Sequence, residues 1–253
     1  MAFIISALKI IVLLGFLVFI HEGGHFLMAK LCKVKVNEFA IGFGPKIWQK
    51  QGKETKYALR LIPLGGFVNM EGEDEESDKE GSFSKASIPK RLAIVFAGPL
   101  VNIVFAIVVY FILAIIFGMT QMGGDFGTSI QFAFEKTGAF LGMTFEGLAK
   151  LFTGNIGLDQ MMGPVGISEV VSQTSGLFEF MNMMAIISLS LGITNLLPIP
   201  ALDGGKIVFL LIEAIRRKPI SKETQVKIEL AGFAFLIMLS VFVTYHDITR
   251  ISG

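Results

Sequence analysis

Charge is scarce in this chain. Only 17% of its 253 residues are Asp, Glu, Lys or Arg, where soluble domains carry about a quarter. The 22 basic and 21 acidic side chains nearly cancel, so nothing implies a nucleic-acid or other polyanionic partner. Cysteine is reduced to Cys32. That excludes an intramolecular disulfide and a thiolate zinc cluster, and leaves a buried structural thiol. Histidine occurs three times, as His21, His25 and His246. What the chain has in excess is apolar surface: 53% of residues are hydrophobic and the mean hydropathy is +0.67. A soluble domain is excluded, and an α-helical integral membrane protein is expected.

The apolar stretches predict about four transmembrane helices, each near the ~20 residues that a bilayer requires. They cover residues 1–29, 91–117, 182–214 and 226–245. The third is interrupted by NLLPIPALDGG. No small-residue cleavage pattern follows the first apolar run, so it reads as a retained helix and not as a signal peptide. Seventeen of the 22 basic residues fall in 30–91 and 216–227, while 118–183 holds only Lys136 and Lys150. The positive-inside rule then makes the two basic segments cytoplasmic and both termini extracytoplasmic.

Between the first two spans, VKVNEFAI and KYALRLI carry strand-type residues, with Gly42, Gly44 and Pro45 as breakers and a turn around Gly52. A small membrane-associated antiparallel β-sheet is expected on the cytoplasmic side, within a 30–90 segment that ends in an acidic loop. The acidic run EGEDEESDKE (71–80) reads as a solvated loop. Segment 118–181 begins with a Gly-rich linker. Residues 128–152 then suggest an amphipathic helix, either at the outer surface or as a short fifth membrane helix.

The chemistry concentrates at HEGGH, residues 21–25, in the last turns of the first span. Histidines four apart share one helix face, so His21 and His25 offer two nitrogen ligands to one zinc ion. Glu22 lies close enough to take a proton from a water activated by that ion. Ionisable groups in an apolar helix are costly and usually functional. A catalytic zinc normally takes a third protein ligand. His246 lies at the outer end of the last span and is a poor candidate. Asp203 stands in the interrupted third span, after Pro198 and Pro200 and before Gly204 and Gly205. Its competing reading is a helix cap.

Together these pieces resemble the site-2 protease family of intramembrane zinc metalloproteases, of the bacterial RseP and RasP type. HEGGH, GFGPK (42–46), LIPLGGFV (61–68), AGPLVN (97–102), GPVGI (163–167) and NLLPIPALDGGKI (195–207) occur in the family's order. The resemblance implies that His21, His25 and Asp203 bind Zn2+ and that Glu22 is the general base. It implies that Asn102 and Asn195 lie near the active site, to hold the substrate backbone or an oxyanion. For Asn102, interhelical hydrogen bonding is the competing reading. Strand residues Tyr57, Ala58, Leu59, Arg60 and Leu61 correspond to a β-region where an unwound substrate could add as an extra strand.

One departure is plain. Such proteins usually carry one or two PDZ domains between the second and third spans, each needing roughly 80–100 residues. Here only about 65 residues separate those spans, so the PDZ region is expected to be absent, naturally or by removal. The expected function is a membrane zinc metalloendopeptidase of a bacterial inner (plasma) membrane. It would cut transmembrane segments of single-span proteins, such as anti-sigma factors or remnant signal peptides, within the lipid bilayer. A membrane divalent-metal transporter is the alternative, and it leaves Glu22 without a role.

Overall fold

The computed structural model describes residues 2–73, 75, 77–154 and 162–252. The order is α1 (Ala2–Leu31), β1 (Val36–Gln51), β2 (Lys56–Met70), α2 (Ile88–Thr120), α3 (Phe126–Phe152), α4 (Pro164–Gln173), α5 (Leu177–Asn195), α6 (Asp203–Arg216) and α7 (Lys222–Ser252). Four helices are long and apolar enough to cross a membrane: Ile4–Leu31, Ile88–Thr120, Leu177–Asn195 and Lys222–Arg250. The third expected span therefore divides. α5 is long enough to cross alone, and α6 is a separate helix of 14 residues. The described chain forms two compact units.

One unit comprises residues 8–103 and 191–235. Its core joins Ala29 of α1, Val36, Phe39, Val68 and Met70 of the sheet, Ile94 and Val95 of α2, and Leu210 of α6. The sheet has two long antiparallel strands, and each is paired along two different halves. Residues 38–41 lie between 66–69 on one side and 56–59 on the other. Residues 56–59 in turn lie between 38–41 and 48–51. The expected breakers bend β1 without ending it. Gly42 and Gly44 have φ of 85° and 84°, a region that glycine enters freely. A Cβ on Gly42 would also stand 2.6 Å from the Ile62 carbonyl oxygen.

The other unit comprises residues 1–7, 104–190 and 236–253. Within it, α3 meets α2 through aromatic rings. Tyr110 stacks on Phe140 at 4.2 Å, and Phe117 on Phe132 at 6.1 Å. Because the paired numbers run in opposite directions, α3 packs antiparallel along the second half of α2. The GPVGI piece opens α4, a helix that sequence periodicity did not reveal. Pro164 takes a first-turn position, where its missing N–H costs nothing. Asp247, 1% exposed, accepts the Gly166 N–H at 2.8 Å and so caps that helix.

Candidate active site

α1 carries HEGGH through its C-terminal third as unbroken helix, despite Gly23 and Gly24. The glycines are tolerated because packing and not propensity holds the helix. Gly24 is where α2 crosses. A Cβ there would lie 2.5 Å from the Ala97 carbonyl oxygen, and one on Gly98 would overlap the His25 imidazole. The AGP motif of α2 thus makes room for a histidine ring. Pro99, inside α2, removes the amide that would bond the Val95 carbonyl.

Asp203 comes from the other side. After α5 the chain turns through residues 196–202, and short-range bonds such as Leu196 N–H to Ile193 O (3.0 Å) and Leu202 N–H to Ile199 O (3.1 Å) satisfy its backbone. Irregular backbone in a membrane protein needs such internal partners. Ala201 adopts φ 75°, which an alanine rarely does. Gly204 and Gly205 then let the loop carbonyls press against the start of α6; a Cβ on Gly205 would meet the Ile199 oxygen at 2.6 Å. Asp203 is the first residue of α6, and Leu202 is the N-cap, with no side-chain cap bond. The carboxylate is therefore not used as a cap and points to the histidines.

The three groups converge. His21 Nε2 and His25 Nε2 are 3.3 Å apart, and Asp203 Oδ2 is 3.1 Å from the first and 3.5 Å from the second. Ligands about 2.0–2.2 Å from a tetrahedral zinc lie about 3.3–3.5 Å from one another. The triangle fits one zinc ion and leaves its apex open. Among the described residues, His21, His25 and Asp203 form the group of His, Cys, Asp and Glu side chains close enough to hold a metal. His246 is not in it, and packs against Phe242 and Tyr245.

The far ring nitrogens are also held. His25 Nδ1 donates to the Ile94 carbonyl at 2.8 Å, which leaves Nε2 as the free lone pair. The Asn102 side-chain amide lies 3.3 Å from His21 Nδ1. With Nε2 committed to a metal, the ring proton sits on Nδ1, so the nitrogen donates and the amide oxygen accepts. A half-turn of the amide supplies that oxygen. Both histidines are only 8% exposed, so such orienting bonds are not lost to solvent.

A cleft of 290 Å³ opens on this cluster, lined by His21, Glu22, His25, Asp203, Gly66, Phe67, Val68 and Met70 among others. Glu22 faces the cleft but stands outside the ligand group, as a base and not a ligand would. Asn102 is fully buried and does not line the cleft. The structure places its amide beside His21 Nδ1. Asn195 ends α5 and is likewise not a lining residue. Tyr57, Ala58 and Leu59 are paired on both sides, and Arg60 pairs with Lys46. Neither they nor Leu61 line the cleft; the strand facing it is 66–70. The start of that strand lies in the LIPLGGFV piece, but its place at the cleft, and those of Glu73 and Lys206, were not read from the sequence. Lys206 had a signal: it lies one helical turn after Asp203.

The profile of Peptidase family M50 matches residues 9–239. A Clostridium acetobutylicum protein named as a zinc metalloprotease is 30% identical over 92% of this chain and 94% of its own. A similarly named protein of Fusobacterium nucleatum is 28% identical over 95% and 98% of the two chains. The regulator of sigma-W protease RasP of Bacillus subtilis is 26% identical over 98% and 99%. The Fusobacterium alignment spans 332 residues against the 253 of this chain, so at least 79 residues of that relative have no counterpart here.

Proposed function

The chain belongs to peptidase family M50, and from that premise we propose how its own residues carry out the reaction. It is a multi-pass membrane protein and a zinc-dependent intramembrane endopeptidase. In our reading His21, His25 and Asp203 hold the ion. A zinc ion held by these three side chains would supply Lewis acidity to the scissile carbonyl and to the attacking water. Glu22 takes the proton from that water as its oxygen bonds to the carbonyl carbon. It returns the proton to the amide nitrogen as the C–N bond breaks. Asn102 and the Ile94 carbonyl keep the two imidazoles turned inward.

The observation that carries this reading is the triangle of 3.1, 3.3 and 3.5 Å among three donor atoms from α1 and α6. A transporter would need further liganding groups along a path, and the described residues hold this one group. The substrate is proposed to be the membrane segment of a single-span protein, an anti-sigma factor being one class that the sigma-W regulator relative suggests. Unwound, it would add to the open edge of residues 66–70, which faces Glu22 across the cleft. Asn195 remains a proposed contributor near the break between α5 and α6. We also propose a bacterial inner-membrane location with both termini outside, on the asymmetry of Lys and Arg. The missing residues are proposed to be the PDZ region. Supporting this, α2 and α3 are joined by the short segment 121–125.

The deciding experiment measures zinc content and cleavage of a synthetic single-span substrate, for the unaltered chain and for Glu22→Gln. About one zinc per chain is expected in both, with cleavage lowered by roughly 10²–10⁴-fold in Glu22→Gln. Asp203→Ala should instead lose zinc under mild chelation, since two ligands remain. Cleavage undiminished in Glu22→Gln would overturn the assigned role.

A further inference from the structure

Hydrolysis consumes a water and leaves two charged ends, so the catalytic cleft must exchange with water. Glu22, Glu73, Asp203 and Lys206 line it beside Phe67, Val68 and Met70. A second cavity of 190 Å³ lies beside it, room for roughly six waters. The two cavities share three lining residues: Glu73, Val95 and Lys206. Val95 offers no polar side chain. The polar boundary is therefore an ion pair, Lys206 Nζ to Glu73 Oε1 at 2.7 Å. The second cavity is also lined by the Arg91–Glu213 pair at 2.9 and 2.5 Å, by Lys222 and by Glu229, set among apolar side chains such as Phe83, Phe209 and Leu210. It is built from 72–95 and 206–229, next to the basic segments read as cytoplasmic.

We propose that the Glu73–Lys206 pair is the partition between the catalytic cleft and an aqueous antechamber. Water enters, and newly formed chain ends leave, when the pair parts. Two features suit it to that task. Lys206 shares a face of α6 with Asp203, three residues earlier, so its ammonium stands at the border of the ligand cluster. Its side chain is 43% exposed, and a pair with one half-exposed partner holds weakly. Lys222 donates to the Glu73 carbonyl oxygen, which anchors the backbone of the acidic member while its carboxylate stays with Lys206. The new carboxylate made by cleavage can replace Glu73 as the partner of Lys206, so that product formation itself opens the partition. The inference rests on the metalloprotease reading above.

The test uses the zinc-loaded protein and two readouts, cleavage rate and the rate of zinc loss to the hydrophilic chelator EDTA. Glu73→Gln with Lys206→Met should quicken zinc loss by about threefold or more, in line with losing a weak pair, at unchanged zinc stoichiometry. Should that double variant fail to fold, Glu73→Gln alone carries the same expectation. Glu73→Cys with Lys206→Cys, in a Cys32→Ser background and bridged by a bifunctional methanethiosulfonate that spans the lost side chains, should slow zinc loss and stop cleavage, and both should return on reduction. Lys30→Met with Glu54→Gln removes another exposed pair (3.0 Å) and should change neither readout. If the unaltered chain binds no zinc or cleaves nothing, the proposed function falls. If it does both, and the variants lose zinc at its rate or cleave with the bridge in place, the partition alone is overturned.

Discussion

At the scale of single residues, the site depends on what stands behind the ligands. Asn102 is buried against His21, and its amide can accept the Nδ1 proton only with its oxygen turned to the ring. Asn102→Leu removes that acceptor and should weaken zinc binding by about 10–100-fold. Asn102→Asp keeps an acceptor in place and should recover most of the loss. Competition against a chromophoric chelator measures both; equal affinities for Leu and Asn would show that the contact does not orient the ring. A second residue-scale expectation concerns Glu71, outside the spans. Hydrogen bonds from Ser77, then Lys79 and Asn37, hold its carboxyl down to about 2. A depressed carboxyl stabilises the fold above its ordinary value and loses that contribution as pH falls. The tie of Glu71 to Ser77 should therefore loosen between pH 4.5 and about 2. Amide hydrogen exchange at residues 77–82 should rise over that window, and Glu71→Gln should show the raised rate at neutral pH.

At the scale of elements, the sheet decides where a substrate can pair. Residues 56–59 are enclosed by two neighbours and 66–70 by one. Proline lacks the N–H that either role requires. Tyr57→Pro or Ala58→Pro should break the sheet, reported as loss of folded protein. Proline at alternate positions of 67–69 should leave fold and zinc intact and lower cleavage, because N–H groups along a strand point to opposite edges in turn. Full activity at every position of that scan would mean that the strand only walls the cleft. Substrate helices with Gly or Pro near the cut should be cleaved faster, since unwinding them costs less, by about 1 kcal/mol for Gly and 3 for Pro.

At the scale of the whole molecule, charge asymmetry predicts orientation. A cysteine placed at Arg217 should react with an impermeant maleimide only from the cytoplasmic side, and one placed at Gln121 only from outside. The opposite pattern would invert the topology and move the antechamber to the other face of the membrane. The proposed absence of a PDZ region carries a second expectation. Cleavage should depend little on whether a folded outer domain remains on the substrate, tested with paired substrates differing in that domain alone.

Much of the molecule was legible in the residues themselves. The membrane class and four spans follow from apolar runs, because burial in lipid is a property of local composition. His21 and His25 share a face by helical spacing alone. Asp203 stood out because a carboxylate amid prolines and glycines in an apolar segment needs a purpose. Other features are set only by the tertiary structure. Which strand edge is open depends on bends at Gly42 and Gly44 that pair each strand twice, and no alternation pattern encodes that. The antiparallel packing of α3 on α2 depends on ring contacts such as Tyr110 with Phe140. That Asn102 turns to a histidine, and that Glu73 meets Lys206, are long-range contacts between residues 81 and 133 positions apart. Spacing along a chain reports neighbours on one element, whereas charges and amides on different elements meet only when packing brings them together.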